Sequence, residues 1–433
     1  MITKIAWKNI WFKPLNTALS IILLTASVAI ITLLILLQEQ FEKKFSDNID
    51  GIDIVLGAQG SPLQLILSSV YQVDAPTGNI DYTEAKKWMK HPFVASAIPL
   101  SFGDNYRGFR IVGTTPEYLT KYGSEVRNGK VFAKNFDVVA GSAIAQKLGM
   151  KVGDKFFGSH GDAEEGEVHD NQAYTITGIA TPTGKVVDNL ILCNLQSVWA
   201  MHDHEHEEGE EAHDHEHEAV TDAHDHEHHD HDSHAEEAHD HDQAESTISD
   251  EGKEITAVLV KFRSKMGIVT WPRIIAQNTK MQAASPAIEI NRLFSLFGIG
   301  LDALRYLAIG IMIISGISIF IALFNTLKER KYEFALLRVN GASRLQLLSL
   351  VLIESLLLCV TGFVFGTIVG RVALVFISGS SEDEFKMSFN PLEFVWEKEG
   401  YLFLLTIFVG ILAALIPAVK AYSLNISKTL ANA

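Results

Sequence analysis

Four apolar stretches constrain this chain more than anything else in it. They run over residues 15–37, 304–327, 345–377 and 401–419, and a helix needs about 20 such residues to cross the hydrocarbon of a bilayer. The chain is therefore read as a four-span membrane protein. Lys4, Lys8 and Lys13 precede the first stretch, and Ser27–Val28–Ala29 has the look of a cleavage site. The apolar run continues well past it and is too long for the core of a signal peptide, so an uncleaved anchor is expected.

Basic residues fix the orientation, because loops rich in Lys and Arg stay in the cytoplasm. Lys4, Lys8 and Lys13 lie before the first span, Lys328, Arg330, Lys331, Arg338 and Arg344 between the second and third, and Lys420 and Lys428 at or after the end of the fourth. An even number of crossings puts all three groups on one side. The expected layout is an amphipathic N-terminal segment with the first span over 1–38 and a large extracytoplasmic block over 39–302. Spans follow at 303–327, 345–377 and 401–420, with a cytoplasmic segment at 328–344, a short outer loop at 378–400 and a cytoplasmic tail at 421–433.

Within the outer block, Phe41, Phe45 and Ile49 recur at helical spacing, so the first span is expected to continue as a stalk. Alternating apolar residues mark strands in SAIPLSFGD, YRGFRIVGT, FDVVAG, KFFGS, AYTITGIA, NLILCN and ITAVLVKF, with helical runs at YTEAKKWMK, SAIAQKLGM and WPRIIAQNTKM between them. The fold class expected is an α+β extracytoplasmic domain on an all-α bundle of four transmembrane helices. A second stalk is expected to descend from residues around 280–302 into the second span.

Residues 201–250 interrupt that domain with a tract in which 14 of the 17 histidines fall. They are His202, His204, His206, His213, His215, His217, His224, His226, His228, His229, His231, His234, His239 and His241. Neutral imidazole ligates zinc, copper, nickel and cobalt, and the interleaved carboxylates add attraction and oxygen ligands. The tract holds too few apolar residues to bury a core and reads as a disordered loop. A ligand set on such a chain gives interchangeable sites of moderate affinity rather than one preformed cage. Zn2+ is the first expectation; a neutral spacer or a solvated acidic loop is the plainer reading. A smaller loop, His160 to Asp170, has two histidines among acids and reads first as a polar hairpin tip.

The formal charge of −16 belongs to this tract, since residues 202–245 hold 19 acids and no Lys or Arg. The remainder is near neutral, and no nucleic-acid footprint is seen. Cys193 and Cys359 lie in unlike surroundings and read as small buried hydrophobes, not as a disulfide. Ionisable residues inside spans usually mark ion pathways. Here Glu354 is the only carboxylate deep enough to notice, with Arg371 toward the outer end of the third span, which is too few ligands for a metal route.

After the second span the chain reads KERKYEFALLRVNGASRLQLL, a basic amphipathic segment, a turn, and Ser343 as a candidate N-cap. On Glu329–Arg330, Glu333, Leu337–Arg338, Gly341–Ala342–Ser343, Glu354 and the Gly362/Gly366/Gly370 series, this region resembles the FtsX-like permease family. Those proteins are the membrane subunits of MacB-, Lol- and FtsX-type ABC systems. The closing AALIPAVKAYSLNISKTLA, with Pro417, Ala421 and Leu430, looks like the family's C-terminal signature, and the outer block is similar to a MacB-like periplasmic core domain.

The resemblance implies a multi-pass protein of a bacterial inner membrane with its large domain in the periplasm. It implies a pair of permease subunits, identical or not, docked on a cytoplasmic ABC ATPase. Lys331–Ser343 would be the coupling helix, with Glu329, Arg330, Glu333, Leu337, Arg338, Gly341, Ala342 and Ser343 as its residues, and the stalks would carry motion outward. The chain lacks the G-x-x-x-x-G-K-[ST] phosphate loop. ATP is therefore expected on a separate polypeptide, and this subunit is expected to be non-catalytic with no intrinsic cofactor. Three functions remain open: permease work tied to zinc through the His tract, with a periplasmic metal-binding or envelope protein as further partner; metal-independent export of lipoproteins, peptides or small molecules; and regulation of a cell-envelope hydrolase.

Overall fold

The computed structural model describes Ala6 and residues 14–159, 172–201, 252–385 and 389–424. The His-rich tract, the His160–Asp170 loop, Lys4, Lys8, Lys13, Lys428 and Leu430 lie outside the described residues. The chain divides into two compact units, one made of residues 47–290 and the other of 1–46 with 291–433.

The first unit is built on a mixed sheet. Its strands are β1 (Ile54–Ala58), β2 (Ile80–Asp81), β3 (Val94–Tyr106), β4 (Phe109–Thr114), β5 (Val126–Gly129), β6 (Asp137–Ala140), β7 (Lys155–Phe156), β8 (Tyr174–Ala180), β9 (Ile191–Asn194), β10 (Glu254–Ile255), β11 (Ala257–Phe262) and β12 (Met281–Ala284). Ten of them form one sheet in the order β12-β1-β11-β3-β4-β9-β6-β8-β5, with β7 beside β8; β2 and β10 pair separately. The β4–β9 and β6–β8 pairs are parallel and the other pairs antiparallel.

Strand composition explains the burial. β8, Tyr-Thr-Ile-Thr-Gly-Ile-Ala, buries every second residue, as the two-residue period of a pleated strand requires. β1 and β11, apart from exposed Lys261, are apolar on both faces and sit inside the sheet. Ile54, Leu56, Val258, Val260, Trp271 and Ile275 make one core, and Phe109, Ile111, Val138, Ile144, Tyr174 and Ile191 a second. Each fully buried aliphatic side chain contributes about 1.5–3 kcal/mol. Helices Tyr82–Met89, Ser142–Leu148 and Met266–Asn278 fall where the helical runs lie, the first capped by Asp81, whose carboxylate accepts from Glu84 N. Cys193 and Cys359 are buried and free, and His91 is packed against Trp88 and Trp271 with its Nδ1 accepting from Phe93 N.

The second unit is helical: α1 (Pro14–Ile49), α2 (Pro286–Glu329), α3 (Lys331–Val339), α4 (Arg344–Phe385) and α5 (Trp396–Tyr422). Four of these, all but α3, are long and apolar enough to cross a membrane. As expected, α1 and α2 run on without a break beyond their apolar stretches. α4 and α5 are longer than the apolar pattern marks, α4 running to Phe385 and α5 starting at Trp396.

The glycine series decides how α4 packs. A β-carbon at Gly362 would lie 2.6 Å from Leu24 Cδ2, at Gly366 2.5 Å from Val28 Cβ, and at Gly370 2.8 Å from the Ala29 carbonyl. Their four-residue spacing lines one face of α4, so α1 approaches until backbone meets backbone. This is how helices associate where lipid supplies no hydrophobic drive. On its other side α4 meets α5, where Ser355 Oγ donates to the Gly410 carbonyl at 2.7 Å. Ser27 Oγ donates to Ala308 O at 2.9 Å and Ser20 pairs with Ser318 at 3.0 Å, tying α1 to α2.

Candidate functional site

The segment between α2 and α4 is built by its polar residues. α2 ends at Glu329, and Arg330 breaks the helix with φ −96° and ψ 16°. Its guanidinium turns forward to the Glu333 carboxylate, the Nε donating at 2.7 Å. α3 stops at Asn340 because Gly341 takes φ +94°, a left-handed value that disfavours any side chain. Arg338 Nη1 then donates to Ala342 O at 2.7 Å and holds the turn closed.

Ser343 is the N-cap of α4, as its sequence context predicts. Its Oγ accepts from Gln346 N at 3.2 Å, and Gln346 Oε1 accepts from Ser343 N at 2.7 Å. That reciprocal pair is a capping box, and it leaves neither backbone donor orphaned.

The eight residues named from the sequence fall in one segment but differ in role. Arg330, Glu333, Arg338, Gly341, Ala342 and Ser343 set its shape; Leu337 packs on the bundle core beside buried Phe334. Glu329 ends α2 at an exposed position. Glu354, deeper in α4, is buried. The surface that α3 offers belongs to residues the sequence reading did not single out: Tyr332, Leu336 and Val339 are exposed at spacings of four and three, one helical face. Their spacing was visible, but Phe334, Ala335 and Leu337 make the opposite face equally apolar, so pattern alone did not say which face is free.

In the sheet unit, the chain leaves the described residues at Met201, the end of a helix over 195–201, and returns at Gly252. Trp199 Nε1 donates to Glu254 O at 2.7 Å, and Trp199 packs on Tyr82. The two ends of the insertion are thereby joined at its base. Among the described residues no group of three or more His, Cys, Asp or Glu could hold a metal ion; the fourteen tract histidines are not among them.

Residues 306–426 match the FtsX-like permease C-terminal family, and residues 17–217 match the MacB-like periplasmic core domain. No curated protein matches the chain. Among solved structures it is similar to the periplasmic region of MacB from Actinobacillus actinomycetemcomitans, with 9% identity, 58% of this chain and 97% of that one covered, and a TM-score of 0.33. It is also similar to the extracellular domain of the noncanonic ABC-type transporter YknZ from Gram-positive bacteria, with 10% identity, coverages of 54% and 99%, and a TM-score of 0.30. The two family matches fall on separate parts of the chain, the FtsX-like one on its last three long helices and the MacB-like one on the first helix and much of the mixed α/β domain.

Proposed function

We propose, from its FtsX-like and MacB-like halves, that the chain is a permease subunit that turns ATP hydrolysis by a separate cytoplasmic ABC subunit into work outside the membrane. The observation that supports this most is the free face of α3. Tyr332, Leu336 and Val339 form an exposed apolar strip on a short helix braced at both ends by Arg330–Glu333 and Arg338–Ala342. A rigid helix with an apolar face suits docking against a partner, and a brace suits passing on its motion. α1 and α2 continue beyond the membrane as single helices and would carry that motion to the sheet unit. A second permease subunit, identical or not, completes the assembly in this reading. The chain itself does no chemistry, and ATP is bound by the partner.

The work is linked to zinc, or to copper, nickel or cobalt, through the histidines from His202 to His241. The chemistry of the donor set supports this, because imidazole and carboxylate alternate without a cation from Val186 to Gly252. A metal-independent export permease and a regulator of an envelope hydrolase are the competing readings. The test is growth of a deletion strain from chelator to zinc excess, complemented by the full chain or by a chain lacking 202–245. Rescue under chelation only by the full chain means acquisition, and rescue at excess means protection. Equal rescue by both chains at both extremes removes zinc from the function.

A further inference from the structure

The outer loop between α4 and α5 is arranged inside out for a segment that faces water. Leu392, Phe394 and Trp396 point outward, with Leu392 83% and Trp396 79% exposed. The residues between them turn inward: the Glu393 carboxylate to Lys43, with the Glu393 carbonyl accepting from Arg371 Nη2 at 3.3 Å, and Val395 to the bundle core, its N–H donating to Glu399 Oε1 at 3.3 Å. The chain turns at Pro391–Leu392, where Glu393 N donates to Asn390 O at 3.3 Å, and then runs to Val395 outside any helix or strand. Here the acidic side chain takes the inner face and the apolar ones the outer, the reverse of what water selects. The outward residues lead directly into Tyr401, Leu404, Leu405 and Phe408, the exposed apolar face of α5. Trp, Tyr and Phe at the first turns of a span are the residues that favour the boundary between headgroups and hydrocarbon.

The loop is also held. The first polar turns of α1 beyond its apolar run reach three elements. Gln38 accepts from Arg305 of α2 at 2.7 Å, Glu39 pairs with Lys398 of α5, and Lys43 pairs with Glu393 at 3.1 Å. Gln40 makes a two-way pair with one residue of the loop: its Nε2 donates to Asn390 O at 2.8 Å and its Oε1 accepts from Asn390 N at 2.7 Å. Beneath the loop, Arg371 Nη2 donates to both oxygens of Glu399, which is 2% exposed, and the guanidinium lies 4.5 Å from the Phe394 ring centroid. Arg371 and Glu399 are thus paired inside the protein and Lys43, Glu393, Glu39 and Lys398 are paired at its surface, while Leu392, Phe394 and Trp396 are left outside beside one exposed acid, Glu397.

We propose that residues 389–396 form a lipid-immersed paddle at the outer boundary of the bilayer, pinned to the first helix through Glu39, Gln40 and Lys43. Immersion stands on the loop's own polarity. Movement of the paddle by α1 rests on the reading of the chain as a mechanical permease.

Two measurements on the full chain in vesicles test it. A nitroxide at Leu392→Cys, with the two buried native cysteines left in place, should be more accessible to dissolved oxygen than to a water-soluble nickel chelate. Preferential access to the nickel chelate, or exclusion of both reagents by a protein contact, overturns immersion. A disulfide between Gln40→Cys and Asn390→Cys should form equally well in the nucleotide-free assembly and in the assembly trapped with ATP and vanadate, and a fall in the trapped state overturns the pin. A second pair, Phe45→Cys with Phe294→Cys, reports on the stalks, whose rings lie 5.7 Å apart. A nucleotide-dependent change there beside constancy at 40–390 is the expected result. Constancy at both pairs leaves the paddle pinned and removes the mechanical reading instead.

Discussion

Trp199 and Glu254 are joined by one hydrogen bond, indole N–H to carbonyl at 2.7 Å, although 55 positions separate them in the chain. Nearly all of those positions are the His-rich insertion. The sheet unit therefore joins the described residues on either side of the tract, and β10, β11 and β12 pair with β2, β1 and β3.

Deleting residues 202–245 should accordingly leave thermal unfolding of the chain in detergent unchanged, within about 0.5 kcal/mol. Trp199→Phe removes the donor and leaves the Glu254 carbonyl without it, at a cost of about 1–3 kcal/mol. That loss should be the same with and without the tract. Unfolding midpoints of the four proteins decide it, and a large loss on deletion alone would show that the tract belongs to the fold.

The glycine ladder gives a steeper prediction. At Gly366 any side chain meets Val28 and, at 3.0 Å, the Thr25 carbonyl. Neither can move without shifting α1. Gly366→Leu should destabilise the bundle by about 1–3 kcal/mol. Gly298, with nothing within 4 Å of its added β-carbon, should tolerate Ala at roughly no cost in bundle packing. Unfolding in denaturing detergent, followed for both variants, compares them directly.

Tyr332, Leu336 and Val339 face outward from α3 while Phe334 and Ala335 face the bundle. On the docking proposed above, replacing Leu336 by Asp should weaken binding of the ATPase subunit by roughly tenfold or more, the loss of one buried anchor at an interface. The same change should leave bundle stability within about 0.5 kcal/mol. Phe334→Asp should do the opposite and unfold the bundle. Co-purification of the assembled complex and its unfolding midpoint separate the two. Equal docking by Leu336→Asp and the unaltered chain would place the contact elsewhere.

How far these features could be read in advance differs for physical reasons. The four spans, the continuation of the first two helices past their apolar runs and Ser343 as N-cap each depend on local pattern, and local pattern was enough; the Gly362/Gly366/Gly370 series stood out only within the family resemblance, and its contact with α1 is a matter of tertiary packing. β12 and β5 were missed because four residues such as Met-Gln-Ala-Ala carry no strand periodicity; they are strands because β1 and β8 offer them partners. The outer loop was read as residues 378–400, and its reversed polarity stayed hidden, because which way the Glu393 side chain turns depends on Lys43, 350 positions away in the chain. The His tract stands out in composition alone, and its fourteen histidines lie outside the described residues.

Lys121 gives the last prediction, and it lies where α1 ends. Its Nζ donates to Asn48 O at 2.9 Å, one of the carbonyls left free at that helix terminus, while Asn48 Oδ1 accepts from Val186 N at 2.9 Å. The amine sits 3.5 Å from the Tyr122 ring centroid. Burial, and after it nearby Lys185, pushes its pKa down from 10.5 to about 7 against the opposing pull of Asp50. In the folded chain the amine is thus neutral above about pH 7, while in the unfolded chain it holds its proton up to 10.5. The unfolded state binds more protons in that window, so stability rises with pH across it, and below about 7 the cost of the buried charge is borne in full. Lys121→Met keeps the apolar stem and cannot titrate. The pH dependence of unfolding between about 7 and 10.5 should therefore flatten in Lys121→Met, and the substitution should help most, or harm least, at the acid end. Parallel slopes for the two proteins would mean that Lys121 titrates as an ordinary lysine and that its bond to Asn48 carries no pH sensitivity.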